Sequence, residues 1–309
     1  MWLSPEDARS DFILAAAALV FGTLVAEFIM GLPFYPRGAL SLWLTPLWVV
    51  GLMIVPARFL AGYREQGLEA FGLVGDRAGL GDGILLVMPL LAAGYVRSFS
   101  DGNVLGAFLG RLGGFASNSP GVAQLDLLTL LLGVIVLVVA AVGSMFLFGL
   151  LVVRARDGFR ATDMPLLEAL RTYGLGAVAI GTVLGLLMSL AGTGPRSWVV
   201  LLDGGAVVAV ILLTDRMVAS GDRTTRATVL APAIVAMVAF MFAPGGGLFS
   251  QNLAMSLYHG AMAAAVAIVL TVLIESRRAA WAAVPLVAAT VWAPTCATLP
   301  VAPFISLGC

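Results

Sequence analysis

LDLLTLLLGVIVLVVAAVGSMFLFGLLVV, residues 125–153, carries one charge, Asp126, in twenty-nine positions. At ~1.5 Å rise per residue this is roughly 43 Å of helix, more than the ~30 Å hydrocarbon thickness of a bilayer. A segment so long and so free of charge reads as a transmembrane helix that tilts to fit. The rest of the chain agrees with it. Its 309 residues are 61% hydrophobic and 11% charged, with a mean hydropathy of +1.04, outside the balance of a soluble domain.

The same signature recurs in roughly nine runs, at about 12–31, 42–57, 83–96, 125–153, 173–191, 198–214, 228–243, 253–274 and 279–293. The expected fold class is therefore all-α, a polytopic transmembrane helical bundle of about nine spans forming one integral membrane domain over residues 1–309. The first run is too long, and its flank Pro5-Glu6-Asp7-Ala8-Arg9 too mixed in charge, for a secretory signal, so it is retained as a helix. The longest polar connection, Arg97 to Gln124, is rich in Gly and Ser and reads as an irregular or partly re-entrant loop.

Arginine sets the orientation, because cytoplasmic loops carry an excess of positive charge. With the N-terminus inside, thirteen arginines fall on the inner side, from Arg9 and Arg64 through Arg154, Arg156 and Arg160 to Arg277 and Arg278. Four, Arg37, Arg97, Arg111 and Arg196, fall outside. The expectation is N-in and C-out, in the cell (plasma or bacterial inner) membrane. The inner Arg154, Arg156 and Arg160 are read as topology signals that touch anionic lipid headgroups.

Composition also removes chemistries. All seventeen cations are arginine. Without lysine there is no Schiff base to retinal or pyridoxal phosphate and no Walker-type phosphate loop. One histidine, His259, cannot make a HExxH zinc site. Two cysteines, Cys296 and Cys309, cannot ligate an iron–sulfur cluster. Both lie in the tail expected outside, where a Cys296–Cys309 disulfide can persist, although spacing alone leaves two free thiols equally open. Basic residues are spread along the membrane edges, so nucleic acid is not an expected partner. No catalytic residue, metal ligand or cofactor is assigned.

Ionisable groups inside a span are costly and mark function by default. Glu27 lies fifteen residues into an outward-running helix, roughly 22 Å along it. Asp126, Asp203 and His259 fall near the starts of inward-running helices. The four share the outer third of the membrane, where a carboxylate–imidazole cluster binds a divalent metal or relays protons. The alternative is a set of helix caps, first-turn acids and salt bridges. Small residues four apart, as at Gly181 and Gly185, Ala140 and Ser144, and Ser256 and Gly260, read as close helix packing.

Three segments resemble the CPBP family of intramembrane metalloproteases: Arg64-Glu65-Gln66-Gly67-Leu68-Glu69-Ala70-Phe71-Gly72-Leu73, Gly143-Ser144-Met145-Phe146-Leu147-Phe148-Gly149, and Met255-Ser256-Leu257-Tyr258-His259-Gly260. Gly143 and Ser144 stand where the family has paired glutamates, and Phe148 where it has an arginine. The resemblance implies a related scaffold whose metal-dependent peptidase chemistry has been lost. Three functions are carried forward. The first is a non-catalytic scaffold or accessory subunit, with the bilayer, other membrane subunits or a second copy as partners. The second is a small-solute or proton-coupled transporter using Glu27, Asp203 and His259. The third is a CPBP-like hydrolase.

Overall fold

Apolar chain that leaves water must satisfy its own amides, and helix does this within one segment. The computed structural model describes residues 3–30, 32–34, 47–48, 50–74, 77, 79–100, 127–219, 221–242, 253–276 and 280–285. Within its helices no side chain is described at 26, 27, 30, 94, 95, 97–100, 127–134, 136, 137, 140 and 141. The helices are α1 (Pro5–Met30), α2 (Val50–Tyr63), α3 (Gly79–Ser100), α4 (Leu127–Gly158), α5 (Leu166–Leu190), α6 (Ser197–Met217), α7 (Arg226–Met241) and α8 (Leu253–Glu275). Two short strands, β1 (Met164–Pro165) and β2 (Arg223–Thr224), pair antiparallel, with Met164 opposite Thr224. The architecture is all-α.

Among the described residues four helices are long and apolar enough to cross a membrane: Pro5–Val25 within α1, α5, α6 and α8. Val50–Tyr63, Gly79–Ala93 and Arg226–Met241 are shorter apolar helices. The first eight predicted runs each overlap a helix. Of the ninth, only 280–285 is described, beginning with a 3-10 turn at Ala280–Ala282. The 101–124 part of the long connection lies outside the described residues.

Several helices outrun their apolar stretches, because polar residues can cap and extend a helix at the membrane edge. At the start of α1, Ser4 Oγ accepts from the Asp7 amide at 3.1 Å. At the other extreme, α4 continues past Val153 to Gly158 and carries Arg154 and Arg156 with it. The first turn of α2, Val50–Ile54, is a π-turn, and Pro56 follows two residues after it. Proline has no amide to donate to the carbonyl four residues back, and the wider turn accommodates the missing bond.

Helix α8 is the post around which the others stand. Every residue from Tyr258 to Ile274 is buried, as expected for a helix that is apolar all round. It packs most extensively on α7 and α5, while α1 lies along α4 and α3 along α6. The outer helices are two-faced. On α5, Val178, Gly181, Gly185 and Met188 are buried, whereas Ile180, Val183, Leu187 and Leu190 are exposed. On α1, Ala8, Asp11, Ala15 and Leu19 are buried, whereas Leu14, Phe21 and Phe28 are exposed.

One non-helical piece is built into the packing. Leu68–Phe71 forms a 3-10 turn whose Phe71 ring meets Phe146 of α4 at 4.4 Å between centroids. Gly72 ends the turn at φ +74°, a backbone that L side chains rarely adopt, and a Cβ there would overlap Ile274 of α8. A Cβ on Gly149 would overlap the Phe71 carbonyl. The turn is thus wedged between α4 and α8, and the stretches 64–73 and 143–149 meet at Phe71, Phe146 and Gly149.

Candidate functional site

The predicted outer cluster is described at two of its four positions. Glu27 lies in the last turns of α1 without a described side chain, and Asp126 lies outside the described residues. The tail cysteines Cys296 and Cys309 also lie outside them. Asp203 and His259 are each the seventh residue of their helix, α6 and α8, which puts both about 9 Å from the helix start. Both are buried, at 0% and 2% exposure. Asp203 is therefore no solvated cap, since the first turn of α6 lies a full turn earlier.

The helices bearing them meet at one level through missing side chains. A Cβ on Gly185 of α5 would come within 2.7 Å of Val200 of α6 and 2.9 Å of the Tyr258 ring of α8. A Cβ on Gly204, next to Asp203, would come within 2.6 Å of the Thr182 hydroxyl of α5. Gly181 faces Ala261 and Met262 of α8. These contacts bear out the small-residue spacing as a packing signal at Gly181 and Gly185. His259 belongs to the adjoining side of α8, with its ring 5.8 Å from Phe240 of α7 and 5.0 Å from Tyr258. Among the described residues no three His, Cys, Asp or Glu side chains come together as a metal-holding group.

A second polar centre, at the opposite end of the bundle, was not anticipated. Arg154 of α4 is fully buried, and its Nε lies 3.2 Å from Oδ2 of Asp11 on α1. Its Nη2 donates to Gln66 Oε1 at 2.7 Å. Arg64, just past α2, donates to both Asp11 oxygens, at 3.3 and 3.1 Å, and to Asp7 at 3.2 Å. The hydrogen bond to Asp11, with the charges of Asp11 and Asp7, raises the Arg64 guanidinium above its ordinary pKa. Two backbone contacts close the joint: Arg9 Nε donates to the Gly158 carbonyl at 2.8 Å, and Arg160 to the Leu3 carbonyl at 2.5 Å. Buried charges persist when paired, and Asp11 pairs Arg154, whose Nη2 alone is hydrogen-bonded while Nε and Nη1 make no hydrogen bond among the described residues.

Arg154 is thus corrected. It does not reach toward headgroups with Arg156 and Arg160 but is the buried cation of an interhelical lock. The sequence held a usable signal. It lies on α1, where Asp11 sits in register with the buried Ala8, Ala15 and Leu19; α4 is buried on every side from Leu147 to Ala155, so helical phase there does not single out Arg154. The same end gathers most of the arginines assigned to the inner side. Arg77 lies over the Trp281 ring at 5.3 Å, Arg171 of α5 grips Asp215 of α6 at 2.9 and 2.8 Å, and Arg226 pairs with Asp163 at 3.7 Å. No family model, no curated protein and no solved structure matches the chain.

Proposed function

We propose that this chain is a multi-pass protein of the cell (plasma or bacterial inner) membrane, threading it about nine times with the N-terminus inside and the C-terminus outside. Its role is that of a non-catalytic scaffold or accessory subunit of a membrane complex. The observation that carries the reading is the division of α5. One stripe is packed through Gly181 and Gly185, and the opposite stripe of Ile180, Val183, Leu187 and Leu190 is 55–82% exposed. Such a face has no place in water and needs lipid or another apolar helix. The lock around Arg154 supports a rigid body, because its buried charges are spent on holding helices together. The CPBP resemblance enters as a related scaffold without its metal chemistry.

Purification in mild detergent tests the role. Cross-linking followed by native mass spectrometry is expected to find a second chain, of the same or another kind. A chain that runs only as a bare monomer in every mild detergent counts decisively against a subunit. Labelling with a membrane-impermeant thiol reagent tests the topology: Cys309 is expected to react from outside, and a cysteine placed at Arg156 only after permeabilisation.

A second reading, a small-solute or proton-coupled transporter, draws on the burial of Asp203 and His259 at matching depth. Alanine at either position should then abolish flux in proteoliposomes while leaving unfolding unchanged. Unaltered flux removes that reading.

A further inference from the structure

Where α4 ends and β2 leads into α7, the fold leaves an open cleft of about 290 Å³. Arg156 from the last turn of α4, Arg160 just past its end and Arg223 from β2 line it, together with Thr224, Thr225 and Thr228. At ~30 Å³ per water molecule, such a space holds a phosphate-sized anion together with bridging waters. Asp157 and Glu275 also reach the wall, so three guanidinium groups face two carboxylates, one positive charge in excess.

The partners already present leave that excess available. Asp157 pairs with Arg156 at 3.1 Å. Arg160 donates to the carbonyls of Asp157 and Leu3, which hold the guanidinium in place. The exposed Arg223 side chain makes no hydrogen bond or ion pair among the described residues. Thr225 caps the sixteen-residue α7, its Oγ1 accepting from the Thr228 amide at 3.1 Å, and so the positive end of that helix opens on the same space. Planar guanidinium forks and hydroxyl donors are the groups that match phosphate oxygens.

We propose that this cleft binds a phosphate group, supplied by the headgroup of an anionic lipid or by free inorganic phosphate. The β1–β2 pairing gives it a fixed frame, since the backbone of Arg223 is held opposite Pro165. The lipid source rests on the membrane reading above, and the soluble source does not.

The test uses the full chain in neutral maltoside micelles. Phosphatidylglycerol retention is read by native mass spectrometry, and inorganic phosphate is titrated separately by calorimetry. Arg223→Gln changes an exposed side chain and leaves the strand pairing intact. Arg226→Gln is the control, because Arg226 engages Asp163 and does not line the cleft. Arg223→Gln is expected to weaken binding of the effective probe about tenfold relative to Arg226→Gln, with Arg156→Gln acting in the same direction. Lipid retention without phosphate heat assigns a headgroup site, and phosphate heat without lipid retention assigns a soluble anion; either supports the cleft. Binding of neither probe, or equal losses in Arg223→Gln and Arg226→Gln, overturns it. The phosphate titration reads the cleft even if the chain proves not to lie in a membrane, which separates the two failures.

Discussion

The joint between α1 and α4 and the seam among α5, α6 and α8 are both buried, yet they are held by opposite means. At the joint, Asp11 and Arg154 bring full charges out of water and answer them with one another, with Arg64 and with Gln66. At the seam, Gly181, Gly185 and Gly204 remove side chains so that the helix backbones approach closely and dispersion acts between them. The lesson is one of tolerance. A charge pair fails when either partner is lost, whereas a glycine seam fails when anything is added.

The largest expected effect is therefore at the joint. Asp11→Ala leaves Arg154 buried without its carboxylate and should cost about 3–5 kcal/mol of stability, read from denaturant or thermal unfolding in micelles. Replacing both partners together, Asp11→Leu with Arg154→Met, should recover most of that loss, because apolar groups of similar volume need no partner. If the single variant unfolds like the wild type, the charges do not hold the joint and the contrast with the seam is lost.

Added methyl groups come next. Gly149→Ala drives a Cβ into the Phe71 carbonyl, and backbone cannot rotate away, so about 1–3 kcal/mol is expected. Gly185→Ala meets the side chains of Val200 and Tyr258, which can shift, and should cost less. Gly176→Ala meets nothing within 4 Å and should stabilise α5 by about 0.5–1 kcal/mol. Equal effects at all three positions in thermal unfolding would mean that close approach is not what these glycine contacts depend on.

How far the sequence reached follows the same division. Apolar runs predicted the helices, because hydropathy and backbone satisfaction are local. The glycine spacing at Gly181 and Gly185 also predicted a contact, since four residues return to one face. The Asp11–Arg154 pair was missed for a physical reason. A buried arginine and a headgroup-facing arginine read alike in composition, and helical phase does not tell Arg154 from Arg156, because α4 is buried on every side from Leu147 to Ala155. Gln66 was less legible still, because it lies in a connection with no periodicity and reaches Arg154 across eighty-eight positions of chain. Of the proposed outer cluster, burial of Asp203 and His259 was legible in part, as polar residues within otherwise apolar runs.

Surface pairs offer a smaller effect and calibrate the first. Arg171 and Asp215 make a two-pronged pair between α5 and α6, but the arginine side chain is 60% exposed. Arg171→Ala should cost far less than Asp11→Ala, and less again at high salt. A loss matching that of Asp11→Ala would show that burial is not what separates the two pairs.

The smallest effect falls on the wedge that touches both regions. Glu69 accepts from the Gly67 amide at 2.7 Å, and that bond, with one from its own amide, holds its carboxyl below the ordinary range. A carboxylate whose pKa is lower in the folded state contributes stability that is fully present above its unfolded value of about 4.3, and loses it as pH falls through the folded value. Because Glu69 is exposed, screening reduces that contribution to a fraction of ~1 kcal/mol. Glu69→Gln should therefore be slightly less stable at neutral pH and match the wild type once the medium is acid enough to protonate the carboxyl. The size of the gap carries the argument, because Phe71 and Gly72 anchor the same turn through packing. A wide gap that closes on acidification would make charge, not shape, the force seating the wedge against α4 and α8.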